Sequence, residues 1–355
     1  YCTDDNARAL IAMAEYYSQY PEPQALKLLD TYLSFTMHSQ NEDGKVKNFM
    51  DFDRSWWKSE PAHDAFGRVL WAFGAVMAKP PTPAYLSIAK DCFDKSVEHV
   101  QRQRPRGMAY SIFGMSDYLK QFPGASDIKR QMELAADGLV LQYEENTYPN
   151  WQWFEDILTY DNAVLPHALF VAALTFDNKR YREVAQESCE FLLANTLKGD
   201  HFSFIGCNGW YERGGTKAEF DQQPLEATST VMMLGSAYDA TGDKRLLKLQ
   251  RKAFDWFLGT NDVRVPLYDF RTKGCYDGLT RDGVNANQGA ESTLGYFLSL
   301  LAMLESYARV EKAKSKRAGS SLQVDLTERP SKKKERIREI LAESGHQDTP
   351  VEELT

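Results

Sequence analysis

Apolar positions recur at helical spacing along most of this chain, in runs separated by polar or Pro/Gly-containing breaks. Residues 5–18 carry Ala7, Leu10, Ile11 and Ala14 on one face, and 23–40 repeat the pattern with Leu26, Leu29, Leu33 and Met37. The same spacing predicts helices over 64–78, 83–103, 108–121, 126–143, 161–175, 179–195, 224–240, 243–258 and 288–308. Every second helix follows a polar cluster: Asp4-Asp5-Asn6, Asp64 to Arg68, Arg106-Gly107 to Tyr110, Tyr160-Asp161-Asn162, Gln222-Gln223 to Glu226, and Asn287-Gln288 to Glu291. The clusters return roughly every 45 to 65 residues, which marks a repeat of helical hairpins.

The connections are unequal. Links after cluster-bearing (inner) helices are short, near 20, 80, 123, 178 and 242, whereas links into them are mostly long: 41–63, 144–160, 196–222 and 259–287. Antiparallel neighbours joined this way gather the short turns at one end and the long loops, with the polar clusters, at the other. The expected fold is all-α: an (α/α)6 toroid of helical hairpins over 1–310, with six inner and five outer helices. The sixth outer helix would come from an upstream segment or from the tail. From Glu311 the composition turns to Lys, Arg and Ser, so 311–355 reads as a charged linker with a short helical tail.

Composition narrows the partners. A net charge of -8 disfavours nucleic acid, and no apolar run reaches membrane-spanning length. The 5 cysteines are scattered without paired spacing, which predicts free thiols and a cytoplasmic setting. Neither they nor the 6 histidines have metal-ligand spacing. Phosphate-cradling glycine motifs and nucleophile elbows are absent from the sequence, so no cofactor is expected.

The long loops mix aromatic with polar residues: Trp56 and Trp57; Trp151, Trp153, Glu155 and Asp156; Trp210; and Tyr268 to Asp282. Flat rings that stack on sugars, beside groups that bond hydroxyls, describe a carbohydrate-facing cleft. Asp4, Asp64 and Asp161 are open to two readings, helix N-caps or site carboxyls. Asp4…Arg8 and Asp64…Arg68 are either surface ion pairs or cavity-wall groups. Gln223…Glu226 and Gln288…Glu291 repeat Gln-x-x-Glu at two inner helices, and since Gln caps poorly, both glutamates are expected to face a shared cavity. His63 and His167 are either satisfied core histidines or proton acceptors.

Tyr-Cys-Thr-Asp-Asp-Asn-Ala-Arg at the start, Phe-Asp-Gln-Gln-Pro-Leu-Glu-Ala, and Asn-Gln-Gly-Ala-Glu-Ser near the end resemble six-hairpin, (α/α)6-barrel carbohydrate-active proteins. The resemblance spans about 1–308 and extends to bacterial chains classed as glycosyltransferases, in which the barrel follows a nucleotide-sugar domain that would be lost here. It implies a metal-free inverting glycosidase acting on an oligosaccharide or glycoconjugate. Acid candidates are Glu155 and Asp156, base candidates Glu226 and Glu291, with Asp64 and Asp161 able to exchange roles with them. Asp5, Arg8, Trp56, Trp57, Arg68, Trp151, Trp153, Tyr160, Trp210, Gln222, Gln223, Asn287 and Gln288 are the expected substrate contacts. The rivals are a non-catalytic glycan-binding or accessory module, and a sugar epimerase or isomerase using His63 and His167.

Overall fold

The computed structural model describes residues 1–58 and 63–317. Eleven α-helices follow in order among them: α1 Thr3–Gln19, α2 Pro23–Ser39, α3 His63–Ala78, α4 Pro83–Ser96, α5 Pro105–Gln121, α6 Ser126–Asn146, α7 Val164–Phe176, α8 Lys179–Thr196, α9 Pro224–Thr241, α10 Lys244–Asp255 and α11 Ala290–Arg317. The odd-numbered helices form the inner ring. Each packs on the next, and α11 returns to α1, so the ring closes. The even-numbered helices lie outside against their hairpin partners. This is the (α/α)6 toroid, with five outer helices among the described residues. None of the described helices is long and apolar enough to cross a membrane.

Two outer helices, α8 and α10, start on a side-chain cap, whereas the residues preceding α2, α4 and α6 make none. At the short-turn end, Asn178 accepts hydrogen bonds from the Arg180 and Tyr181 amides, and Asp243 from that of Arg245. At the loop end, the residues preceding α1, α5, α7 and α9 make no side-chain cap. Asp4 lies within the first turn of α1 and is not its cap.

Three departures from the periodicity have a clear physical cause. The 83–103 helix breaks at Ser96 into a 3₁₀ turn, Val97–Arg102. Helix α7 begins at Val164, because Asp161 sits in the left-handed region with φ 47. Helix α11 runs to Arg317, past the end of its apolar period, where good helix formers and the Glu305–Arg309 pair sustain it. The remainder of the expected 311–355 tail lies outside the described residues.

The long loops carry three short antiparallel ribbons. Ile157–Leu158 (β1) pairs with Tyr211–Glu212 (β4), Leu197–Lys198 (β2) with His201–Phe202 (β3), and Gly278–Thr280 (β5) with Gly283–Asn285 (β6). A bridge between Gln222 and Leu279 ties the third long loop to the fourth. The loops thus brace one another over the mouth. All five cysteines are unpaired.

The closest inner-helix approach is between α3 and α5. Gly67 and Gly74 on one meet Gly107 and Gly114 on the other, each pair seven residues apart and so on one face. A Cβ on Gly114 would stand 2.4 Å from the Leu70 carbonyl oxygen, and one on Gly74 2.6 Å from the Gly114 Cα. Backbone cannot yield as a side-chain tip can.

Gly114→Ala should therefore destabilise the protein by about 1–3 kcal/mol despite the better helix propensity of Ala. Gly138→Ala on outer helix α6 would meet the flexible end of Met108, the sulfur at 3.8 Å and Cε at 4.0 Å, and should be neutral or slightly stabilising. Chemical denaturation of both variants checks this. Equal stabilisation by the two would refute backbone-to-backbone packing as the role of Gly114.

Candidate functional site

All six inner helices, or the turns leading into them, send polar side chains to the loop end. Three buried arginines organise these groups: Arg8 is 3 % exposed, Arg68 1 % and Arg106 8 %. Arg8 pairs with Asp4 at 2.8 Å, Asp5 at 2.9 Å and Glu291 at 2.5 Å, joining α1 to α11. Arg68 pairs with Asp4, donates to the Tyr110 hydroxyl, and lies 3.7 Å from Asp161. Tyr110 in turn donates to Asp161, so α1, α3, α5 and the turn before α7 share one network. Arg106 grips Glu155 with two hydrogen bonds, 3.1 and 2.9 Å, and donates to the Tyr160 carbonyl. The Tyr160 hydroxyl accepts from Arg8 at 3.4 Å and from Arg68 at 3.3 Å.

Glu226 completes the ring. It accepts hydrogen bonds from the Asp161 amide, the Asn162 amide at 3.3 Å and the Asn162 side chain at 2.9 Å. These bonds hold the 161–162 turn in place and orient Asp161. Asp161 is 2 % exposed, and its second carboxylate oxygen has no hydrogen-bond partner among the described residues.

The protonation balance is uneven. Burial pushes Asp4 up, but Arg68 and Arg8 outweigh it and hold its carboxyl below the usual range. Burial wins at Asp64, Glu291 and Asp5, which all titrate higher than an ordinary carboxyl despite nearby arginines. Glu226 is pushed up to about 8 by burial and then by the charge of Asp161, against the donors on Asn162 and Asp161. Among the described residues no hydrogen bond or ion pair reaches the Asp64 carboxyl. Burial also raises Tyr160 to about 12, leaving a neutral hydroxyl.

A cavity of about 420 Å³ opens beside the ring between α1, α9 and α11. Its charged walls are Asp5, Asp221, Asp277 and Glu291, with Cys207, Gln223, Thr280, Asn285 and Ser292 between them. Asp277 is fixed by Asn287 and by the Gly289 amide at 2.7 Å. Among the described residues no three His, Cys, Asp or Glu side chains cluster as a metal ion would require.

Asp5, Arg8, Asp64, Arg68, Glu155, Tyr160, Asp161, Glu226 and Glu291 belong to the ring, and Gln223 to the cavity. Several expected contacts are elsewhere. Trp151 and Trp153 are 3 % and 0 % exposed and pack edge-on against Phe191 and Phe154, so they are core residues. Trp210 packs on the same core. Trp56 lies on Phe35 and His38 of α2 at 5.8 and 5.6 Å, while Trp57 is 52 % exposed. Gln222 is fully buried, its amide spent on Phe204, Trp256, Glu219 and Asp262. Gln288 bonds Thr272 and Asp269, and Asn287 serves Asp277. Asp156 is exposed and paired with Arg213 at 3.0 Å. Neither Glu155 nor Asp156 occupies the apolar setting that favours an acid, because the tryptophans beside them turn inward.

The two Gln-x-x-Glu copies diverge. Glu291 borders the cavity, but Glu226 turns onto the 161–162 backbone. The histidines are engaged elsewhere: the His63 ring meets Gln103 at 2.9 Å, and His167 meets Ser236 at 2.9 Å. Burial lowers His167 to about 3, so it is neutral. Asp4, open from the sequence to a cap or a site role, takes the site role, whereas Arg106, Tyr110, Asn162, Asp221, Asp277 and Cys207 were not among the expected site residues. Tyr110 carried a signal, one turn after Arg106 on the same helix face.

No family model matches the chain, and no curated protein matches it by sequence. Solved structures do match in fold. A sugar epimerase from a ruminal bacterium superposes with TM-score 0.66 at 11% identity, over 85% of this chain and 87% of that one. A D-mannose isomerase gives 0.66 at 10%, over 86% and 87%. A GH76 α-mannanase from Bacteroides thetaiotaomicron gives 0.56 at 10%, over 88% of each chain. These neighbours share the (α/α)6 barrel; the narrower resemblance to glycosyltransferase chains draws no support from them.

Proposed function

We propose that this chain is a carbohydrate-active enzyme and that it hydrolyses glycosides by carboxyl acid–base chemistry at the inner-ring mouth. The observation that carries this reading is the imbalance there. Among the described residues, Asp4, Asp5, Asp64, Glu155, Asp161, Glu226 and Glu291 face three cations there, Arg8, Arg68 and Arg106. An excess of partly buried carboxyls keeps protons on some of them at neutral pH, which a general acid requires. Asp64 is assigned that role, since burial favours its protonated form and nothing described holds its carboxyl. Glu291 borders the cavity, and burial raises its proton affinity while Arg8 opposes that rise, so it is assigned as the base that activates water. An inverting reaction needs about 6.5–9.5 Å between the two groups. The cavity volume suits a small sugar, within the roughly 300–1,000 Å³ of small-molecule sites.

A second reading, sugar epimerisation or isomerisation, is favoured by the names of the two neighbours at TM-score 0.66. With His63 and His167 engaged elsewhere, the proton beside the sugar carbonyl would pass to a carboxylate such as Glu291.

Proton NMR of manno-, gluco- and galacto-oligosaccharides with the protein in D2O separates the readings. Hydrolysis should yield a new reducing end of inverted configuration. Deuterium incorporation next to the carbonyl without chain shortening would instead establish the isomerase reading. Line broadening with no product would make the chain a binding module and end the enzyme claim. On the active sugar, Asp64→Asn should lower kcat by about 10²–10⁴-fold with KM little changed, and should remove the alkaline limb of the pH profile.

Glu226 adds a stability test. Its carboxyl moves from 4.5 to about 8 in the fold, so its contribution is complete below about pH 4.5 and is lost as pH rises through 8. Thermal denaturation at pH 5 and pH 8 should show a larger loss for wild type than for Glu226→Gln. A parallel loss in both proteins would mean that Glu226 does not hold its proton in the native state.

A further inference from the structure

The loop between α2 and α3 holds a closed hairpin outside the carboxyl ring. Met50 bridges to Trp56, the Trp57 amide donates to the Phe49 carbonyl at 2.9 Å, and the Asp51 amide to that of Ser55 at 2.9 Å. The turn is locked by Arg54 at φ 72 and by the Asp53 carboxylate, which accepts from the Ser55 amide at 2.9 Å. Side chains alternate across the hairpin. Met50 is 4 % exposed and Trp56 lies on α2, so one face anchors the hairpin to the barrel. The other face presents Phe49 at 38 % exposure and Trp57 at 52 %, while at the tip Phe52, 93 % exposed, meets the Tyr1 ring edge-on at 5.9 Å. The Phe49 and Trp57 rings brace each other at 5.0 Å.

These rings are therefore held outward on a fixed base. They alternate with Asp51, Asp53, Arg54 and Ser55, so the surface offers ring faces and hydrogen-bonding groups together. That mixture suits a pyranose, which has apolar C–H faces and polar edges. A protein or lipid partner calls for a continuous apolar patch instead. The hairpin is also tied to the start of α1, which carries the cavity residue Asp5. Phe49 pairs with Cys2, the Thr3 amide donates to the Asn48 carbonyl at 2.8 Å, and Asp5 in the same turn of α1 lines the cavity.

We propose that the hairpin Phe49–Trp57 is a glycan-binding platform continuing the cavity, so that the ligand is an oligosaccharide longer than the cavity alone holds. This rests on reading the mouth as a glycan site. It requires affinity to grow with chain length, through the exposed rings.

The test is titration calorimetry of the full chain with the disaccharides and hexaoses of the manno, gluco and galacto series, on wild type and on Phe52→Ala and Phe52→Ala/Trp57→Ala. For the recognised series, the hexaose should bind at least about fivefold more tightly than the disaccharide, and the ratio should fall towards one in the double variant. A ratio near one in wild type, or an equal loss for both sugars, would overturn the platform while leaving the mouth as the site. A wild-type dimer that the double variant converts to monomer would also overturn it, by making the rings a protein interface. Failure of every sugar to bind would remove both the platform and the glycan reading.

Discussion

Three buried guanidinium groups at one end of a helical ring are the constraint on which the rest of the molecule depends. A charge out of water must be paired, and breaking such a pair costs about 3–5 kcal/mol. Arg8, Arg68 and Arg106 meet that demand with partners on other elements: Glu291 on α11, Asp4 on α1, Glu155 in the loop before α7. Pairing across elements sets how the helices stand relative to one another. Burial of the apolar faces alone would tolerate small slides.

The same groups create the chemistry. More carboxyls than arginines occupy the mouth, and the imbalance resolves by raising the proton affinity of Asp5, Asp64, Glu226 and Glu291. Glu226 links structure to site, because its bonds to the 161–162 turn hold Asp161 at a left-handed φ that interrupts the helical run. Asp tolerates that conformation better than most residues. Around this mouth the loops are braced by short ribbons, while on the barrel wall the glycines of α3 and α5 bring two backbones together. Polar residues stay at the ring's end because its wall is close-packed.

The hairpin pattern was legible because helical period and link length are local properties. Eleven helices, their order and the end at which the polar clusters gather follow from 3.6-residue spacing and from loop length. The Gln-x-x-Glu repeats show where local reading stops. Gln223…Glu226 and Gln288…Glu291 have the same pattern, yet one glutamate borders the cavity and the other staples a neighbouring turn. The difference lies in which backbone amides approach from the turn before α7, which no spacing within α9 records. The tryptophans show the same limit: Trp151 and Trp153 sit among polar residues in sequence but fill a hole under their loop.

The sequence by itself determined the helices, their inner and outer roles, and the enrichment of carboxyl, amide and arginine groups at one end. Periodicity and punctuation act within a few residues, and the closed ring follows from packing apolar faces laid down that way. Only the tertiary structure decided which carboxyl meets which arginine, which aromatic faces solvent, and which acid keeps its proton. Those outcomes depend on distances between residues far apart in the chain, such as Arg8 and Glu291, and on how much water each retains. Burial and through-space charge are properties of the assembled ring.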